Sequence, residues 1–260
     1  MRRRLKEFSW GKLAWCGVAL AIAGSALPRW ADAQDYDDPP ARVARLGYIE
    51  GSVSFQPAGE SDWVGAVPNR PMTTGDQLWG DVDSRAEVQL GSAVIRLSAL
   101  TGFSFLNLDD NTVQIQLTSG TLNVTVRRLG DSEDFEIDTP NQAFNIFQPG
   151  HYRIEASADG TYTVVTVREG EGESTGGGQT YDLRAGQQGN FSGTDQLYAE
   201  VYDIGAPDAF DNWCHDRDHR YDYSRSAQYL SRDVVGFDDL DECGQQRKQH
   251  RQRIPLLKPA

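Results

Sequence analysis

The sequence predicts an all-β fold, a sandwich, barrel or short β-roll of many short strands, with a small helical C-terminal appendage. Three observations predict it. Apolar and polar residues alternate strictly, as in Val113, Ile115 and Leu117 against Gln114 and Gln116, and in Leu122, Val124 and Val126 against Asn123 and Thr125. That period of two marks strands with one buried face. Turn signals recur at a spacing of roughly 8–12 residues, as in sandwiches and barrels. After Gly205 the pattern changes to helical spacing.

The first 33 residues carry a basic stretch (Arg2, Arg3, Arg4, Lys6, Lys12), an uncharged run from Leu13 to Leu27, and an Ala31-Asp32-Ala33 cleavage site. These are the three parts of a secretory signal peptide. The apolar run is 15 residues, short of the roughly 20 that span a bilayer, so cleavage and no membrane span in the exported form are expected. An uncleaved inner-membrane anchor is the alternative. Residues 34–42, acidic and proline-bearing, read as a disordered linker.

Loss of the leader leaves 227 residues with 19 basic and 36 acidic side chains, a formal charge of −17. Such a balance excludes nucleic acid and anionic lipid as natural partners. An exported protein, periplasmic or secreted, with an envelope protein or a glycan as partner, fits it. Two cysteines remain, Cys214 and Cys243. In an oxidising compartment they could pair, although sequence alone does not show that they approach.

Residues 43–203 form the predicted β domain. Strand-like runs lie at Tyr48–Phe55, Ala86–Leu90, Ala93–Leu97, Phe103–Leu108, 113–117, 122–126, Ala143–Phe147, Tyr152–Glu155 and Tyr162–Val167. Turns are expected at Asp109-Asp110-Asn111, Ser119-Gly120, Pro149-Gly150, Asp159-Gly160 and Gly176-Gly177-Gly178. Residues 204–244 form the appendage. Pro207 suits a first helical turn, and Asp208 and Asp211 suit its positive end. The helix is expected over roughly 207–230, packed through Phe210 and Trp213 with its charged face in solvent. Residues 245–260 carry five basic and no acidic side chains and read as a disordered tail or an altered reading frame.

The ordered set Gly51-Ser-Val-Ser-Phe55, Arg70-Pro-Met-Thr-Thr-Gly-Asp-Gln-Leu-Trp79, Ser84-Arg-Ala-Glu-Val-Gln-Leu90, Val94-Ile-Arg-Leu97 and Leu117-Thr-Ser-Gly-Thr-Leu-Asn-Val124 resembles the FecR domain, over about residues 43–192. The chain further resembles an exported bacterial subgroup in which a Trp-Cys helix and a V-G-Y-E-D-L-D segment follow the β domain. Here Asn212-Trp213-Cys214 and Val235-Gly-Phe-Asp-Asp-Leu-Asp241 match. Cys243 and Gln246 replace the Tyr and Trp of that subgroup, and its Trp/Tyr-rich tail is missing. The resemblance implies a noncatalytic binding or structural module of the envelope. A membrane-anchored regulator of envelope signalling is the alternative, but only 12 residues precede the apolar run, too few for a domain that contacts a sigma factor.

Chemistry-bearing residues are sparse. His215 and His219, four apart on a helix, could share a metal, but no companion ligand cluster accompanies them, and the sequence predicts neither metal nor cofactor. The acidic pairs Asp109-Asp110, Glu133-Asp134, Asp238-Asp239 and Asp241-Glu242 are the basis for a third reading, an envelope hydrolase; no enzyme activity is expected. Trp63 and Trp79 could line a ligand surface, although tryptophan at β positions is more often core.

Overall fold

The computed structural model describes residues 42–232 and 234–241. The leader with its Ala31 and Ala33, Cys243 and the basic tail lie outside them. Among the described residues are seventeen strands and one α-helix. The strands are β1 (Ala44–Glu50), β2 (Val53–Gln56), β3 (Val64–Gly65), β4 (Arg70–Met72), β5 (Gln77–Gly80), β6 (Arg85–Gln89), β7 (Ala93–Leu97), β8 (Thr101–Leu108), β9 (Thr112–Val126), β10 (Asp134–Asp138), β11 (Ala143–Ile146), β12 (Gly150–Ala156), β13 (Tyr162–Glu169), β14 (Glu171–Gly176), β15 (Gln179–Arg184), β16 (Gln187–Ser192) and β17 (Tyr198–Asp203).

Hydrogen bonding joins all seventeen into one mixed sheet that is not closed. It is folded into two layers. Layer A runs β4-β1-β6-β7-β9-β12-β13-β16-β17. Layer B runs β3-β2-β5-β8-β9-β10-β11-β14-β15. Only β9–β10 is parallel among these pairings.

Strand β9 belongs to both layers. Its first half pairs with β8 and β10 in layer B, and its second half with β7 and β12 in layer A. The expected turn at Ser119-Gly120 is therefore a bend inside one 15-residue strand. Gly120 sits there at φ +92°, where a Cβ would lie 2.6 Å from the Leu100 carbonyl oxygen. Glycine alone takes that conformation cheaply. Turn signals and corner signals draw on the same residues, so the sequence did not separate them.

Alternation along each strand fills one core from both layers. Val88, Ile95, Leu97, Val124, Ile154 and Val165 point in from layer A; Phe55, Leu78, Phe103, Phe105, Ile115 and Phe144 point in from layer B. All are 0–2% exposed. Burying a side chain of this size contributes about 1.5–3 kcal/mol.

The helix α1 (Ala209–Asp222) is shorter than expected, and a 3-10 turn follows at Arg225–Gln228. Its start is a capping box. The Asp208 carboxylate accepts from the Asp211 amide at 2.8 Å, and the Asp211 carboxylate accepts from the Asp208 amide at 3.2 Å. Such a box satisfies two amides that a helix start leaves open. The chain then folds back: Phe237 is buried against Tyr221 at 4.7 Å between ring centroids, and Asp239 accepts from Arg45 at 2.6 Å. Asp241 accepts from the Ser224 hydroxyl at 2.8 Å and from the Ser226 hydroxyl at 2.7 Å. The Val235–Asp241 motif is thus a staple that ties the chain after α1 back to the body.

Candidate functional site

The two outer faces of the folded sheet differ, and that difference defines the site. In layer A the outward side chains near β7 are buried although they are polar. Glu87 is 2% exposed, Arg96 1%, Thr125 3% and Asn123 6%. What covers them is α1.

Two carboxylates organise this contact. Glu87 accepts from Arg96 Nε at 2.8 Å, from Arg217 Nε at 2.5 Å and Nη2 at 2.9 Å, and from Gln89 Nε2 at 2.9 Å. Asp218 of α1 accepts two bonds from Arg96, at 3.0 and 2.9 Å, one from Arg127 at 2.7 Å and one from Thr125 at 2.8 Å. The Arg96–Asp218 fork is the bidentate geometry that makes guanidinium–carboxylate pairs strong and specific. At the other end of α1, Asp211 meets Arg168 at 2.6 Å and Arg153 at 3.2 Å. Asp208 takes Arg153 at 2.6 Å. Arginines of the sheet and of the segment after β9 thus face aspartates of the helix, and Glu87–Arg217 is a pair of the reverse sense.

Burial opposes the charge on Glu87, but the hydrogen bonds of Arg217 and Arg96 overcome it and hold the carboxyl at about 2. Asp218 is lowered for the same reason: Arg96 outweighs burial. Cys214, 2% exposed between these carboxylates, has its thiol pushed up to about 12, mainly by burial.

The sequence expectation of a solvated charged face on α1 is half corrected. Asp211, Arg217 and Asp218 turn inward and bind the sheet. His215 and His219 do lie exposed, His219 stacked on Tyr223 at 4.3 Å. Phe210 is buried and stacks on Trp213 at 5.8 Å. Among the described residues no three His, Cys, Asp or Glu side chains converge as metal ligands would. None of these helices is long and apolar enough to cross a membrane. The signal for the network was a charged residue at an outward position of an otherwise apolar strand, as in Val94-Ile-Arg-Leu97. It was legible only as a polar outward residue.

Layer B keeps its outer face open. Trp63 and Trp79 are surface residues, 46% and 37% exposed. Trp79 points outward from β5, and its indole lies along Gly102, where a Cβ would sit 3.5 Å from the ring. Beside it a row crosses the layer in register: Gln56, Gln77, Ser104, Gln116, Asp138. A second row holds Gln114, Glu136, Asn145 and Glu173. Gln114 Nε2 donates to Glu136 at 2.7 Å and to Asp138 at 2.9 Å. Burial and the Glu136 charge push Asp138 up to about 6. Phe147, 53% exposed, closes the far side. Sequence reading missed the Glu136–Asp138 pair because the two alternate along β10 instead of standing adjacent. Of the adjacent pairs it named, Glu133 is tied to Arg42, Asp109 caps its own turn through the Asn111 and Thr112 amides, both at 2.8 Å, and Asp239 and Asp241 serve the C-terminal staple; Glu242 lies outside the described residues.

No protein-family model matches the chain, and no curated protein matches it. Two crystal structures of a "putative anti-sigma factor" from Parabacteroides distasonis ATCC 8503, at 2.50 and 1.65 Å resolution, are similar to it at a TM-score of 0.44 with 16% and 15% identity. Each match covers 50% of this chain and 60% of the other, so the chain spans about three-fifths of the length of these solved relatives.

Proposed function

We propose that this is an exported, noncatalytic FecR-like module of the bacterial cell envelope, which binds its partner through the open face of layer B. The export signal of residues 1–33 supports the location. The ordered motif set supports the family reading, and its members fall in chain order on β2, β4–β5, β6, β7 and β9.

The observation that carries the binding reading is the asymmetry of the two faces. Arg217 and Asp218 of α1 are engaged in fixing the helix to layer A, while His215 and Asp216 lie exposed on its outer side. The buried carboxylates of that contact, Glu87, Asp211 and Asp218, each already hold two or more donors. Glu136 and Asp138 point the same way from one strand and share one amide donor. A glycosidase instead sets its two carboxyl groups on either side of a scissile bond. What remains is a body whose layer A is covered by α1 over its centre, with Tyr162, Tyr198 and Tyr202 still exposed toward its β17 edge, and whose layer B carries no helix among the described residues.

Fractionation of cells expressing the full chain tests this reading. The wild type is expected in the envelope fraction, starting at Gln34. Trp79→Ala is expected to fold, be exported and lose retention there. Retention unchanged in Trp79→Ala, or a product that still starts at Met1, would reject it.

A further inference from the structure

We propose that the open face of layer B binds an uncharged glycan chain, laid flat across the strands with a sugar ring on Trp79. The proposal rests on the reading of that face as the binding face, and it names the ligand class. From β2 through β14 the outward positions of layer B carry no lysine and no arginine. They carry amides, hydroxyls and carboxylates, the exposed Leu106 of β8, and Trp79 and Phe147 on either side.

Charge decides first. Glu136, Asp138 and Glu173 lie on one face, and Arg184 on the adjoining β15 is paired with Glu171, so nucleic acid, anionic lipid and acidic glycans are disfavoured. Composition decides next. Protein-binding patches concentrate aromatic residues, Met and Arg in an apolar centre. Here the polar positions are Gln114, Gln116 and Asn145, with Ser104 buried among them and Leu106 the exposed aliphatic residue of β8, and Trp79 and Phe147 lie to either side. A dense field of amide and hydroxyl groups, each able to donate and accept, matches a ligand studded with hydroxyls.

Geometry decides last. The row Gln77–Ser104–Gln116–Asp138 repeats at the strand spacing of about 4.8 Å, close to the length of one sugar ring. The apolar face of a pyranose would pack on the indole. Trp79 is placed for that role: its indole lies along Gly102 and keeps 37% of its surface in solvent.

The test is titration calorimetry of the full chain with two uncharged hexasaccharides, chitohexaose in its N-acetylated form and cellohexaose. Binding of at least one is expected. Trp79→Ala should weaken it about tenfold or more, as loss of an aromatic anchor does. Trp79→Phe should retain most of it, and thermal melts should show both variants folded. As a second probe of the face, Gln116→Lys should also weaken binding, since it puts a long charged chain in the middle of the row. Binding that is indifferent to Trp79→Ala and Gln116→Lys would overturn the proposal. So would no binding of either oligosaccharide. If neither binds while envelope retention still depends on Trp79, the glycan assignment fails and the binding face stands. If retention is also lost to neither variant, both fail.

Discussion

Glu87 and Arg96 show what a buried charge does in this fold. Each is almost fully enclosed, and each is stable only because its partners are present. Removing one partner of a buried pair leaves the other uncompensated and costs about 3–5 kcal/mol. Arg96→Ala is therefore expected to be among the most damaging single changes, visible as a lowered urea midpoint. Glu87 also sets an acid limit. Its folded value, about 2, lies below its ordinary 4.5. A depressed carboxyl adds stability that is present above the ordinary value and lost as pH falls through the folded one. The loss belongs between about pH 4.5 and pH 2 and is on the order of 3 kcal/mol. Glu87→Gln should flatten that part of the stability–pH curve. Asp138 runs the other way. Its value is raised, so its contribution is full below the ordinary 3.8 and disappears as pH rises through about 6. Asp138→Asn should raise the melting temperature at pH 7 and leave it little changed at pH 4. An equal effect at both would contradict the account of that carboxyl.

At the scale of elements, α1 and β9 carry the architecture. The helix is docked mainly by charge, with Phe210 and Cys214 as its buried apolar contacts. Asp218→Ala removes the central acceptor. If the loss is about 3 kcal/mol, local opening of α1 rises by roughly a hundredfold. Cys214 reports that opening, because its thiol is buried and protonated. Its rate of alkylation under native conditions, followed by peptide mass, should rise accordingly in Asp218→Ala. A rate equal to the wild type would mean that the ion pairs do not hold the helix. Strand β9 makes a different demand. Gly120→Ala forces a side chain into a left-handed position against Leu100 and Thr101, a strain of about 1–3 kcal/mol. A melt unchanged by this substitution would contradict the bend as the joint between layers.

The same elements show how much was legible. The strands were readable because one face of each is apolar, and Ala93–Leu97 was placed to the residue. The joint at Gly120 was not, because glycine serves turns and bends alike. The helix was readable from its proline and acidic start. Its orientation was not, because Asp211 and Asp218 turn inward only when arginines from β7, β12, β13 and the segment after β9 meet them. Those four strands come together through long-range pairing that no local pattern reports. Trp79, named from the sequence as a candidate ligand residue, lies at the surface, whereas its polar companions on layer B are ordinary outward residues until register sets them in rows.

For the whole molecule, the account is one of two unequal faces. The centre of layer A is covered by a helix and its ion pairs, whereas among the described residues no helix lies over layer B. The net charge of −13 disfavours polyanions, and the proposed role of the layer B face is to bind partners that offer hydroxyls. Hydroxyl-radical footprinting of the full chain, with and without saturating isolated envelope material, tests this most directly. Trp79 and Phe147 on layer B, and Tyr198, Tyr202 and Tyr223 elsewhere, are all exposed enough to be oxidised. The account predicts that binding protects Trp79 and Phe147 and leaves the three tyrosines reactive. Protection of Tyr198 and Tyr202 on β17, or of Tyr223 beyond α1, with Trp79 still reactive, would contradict it.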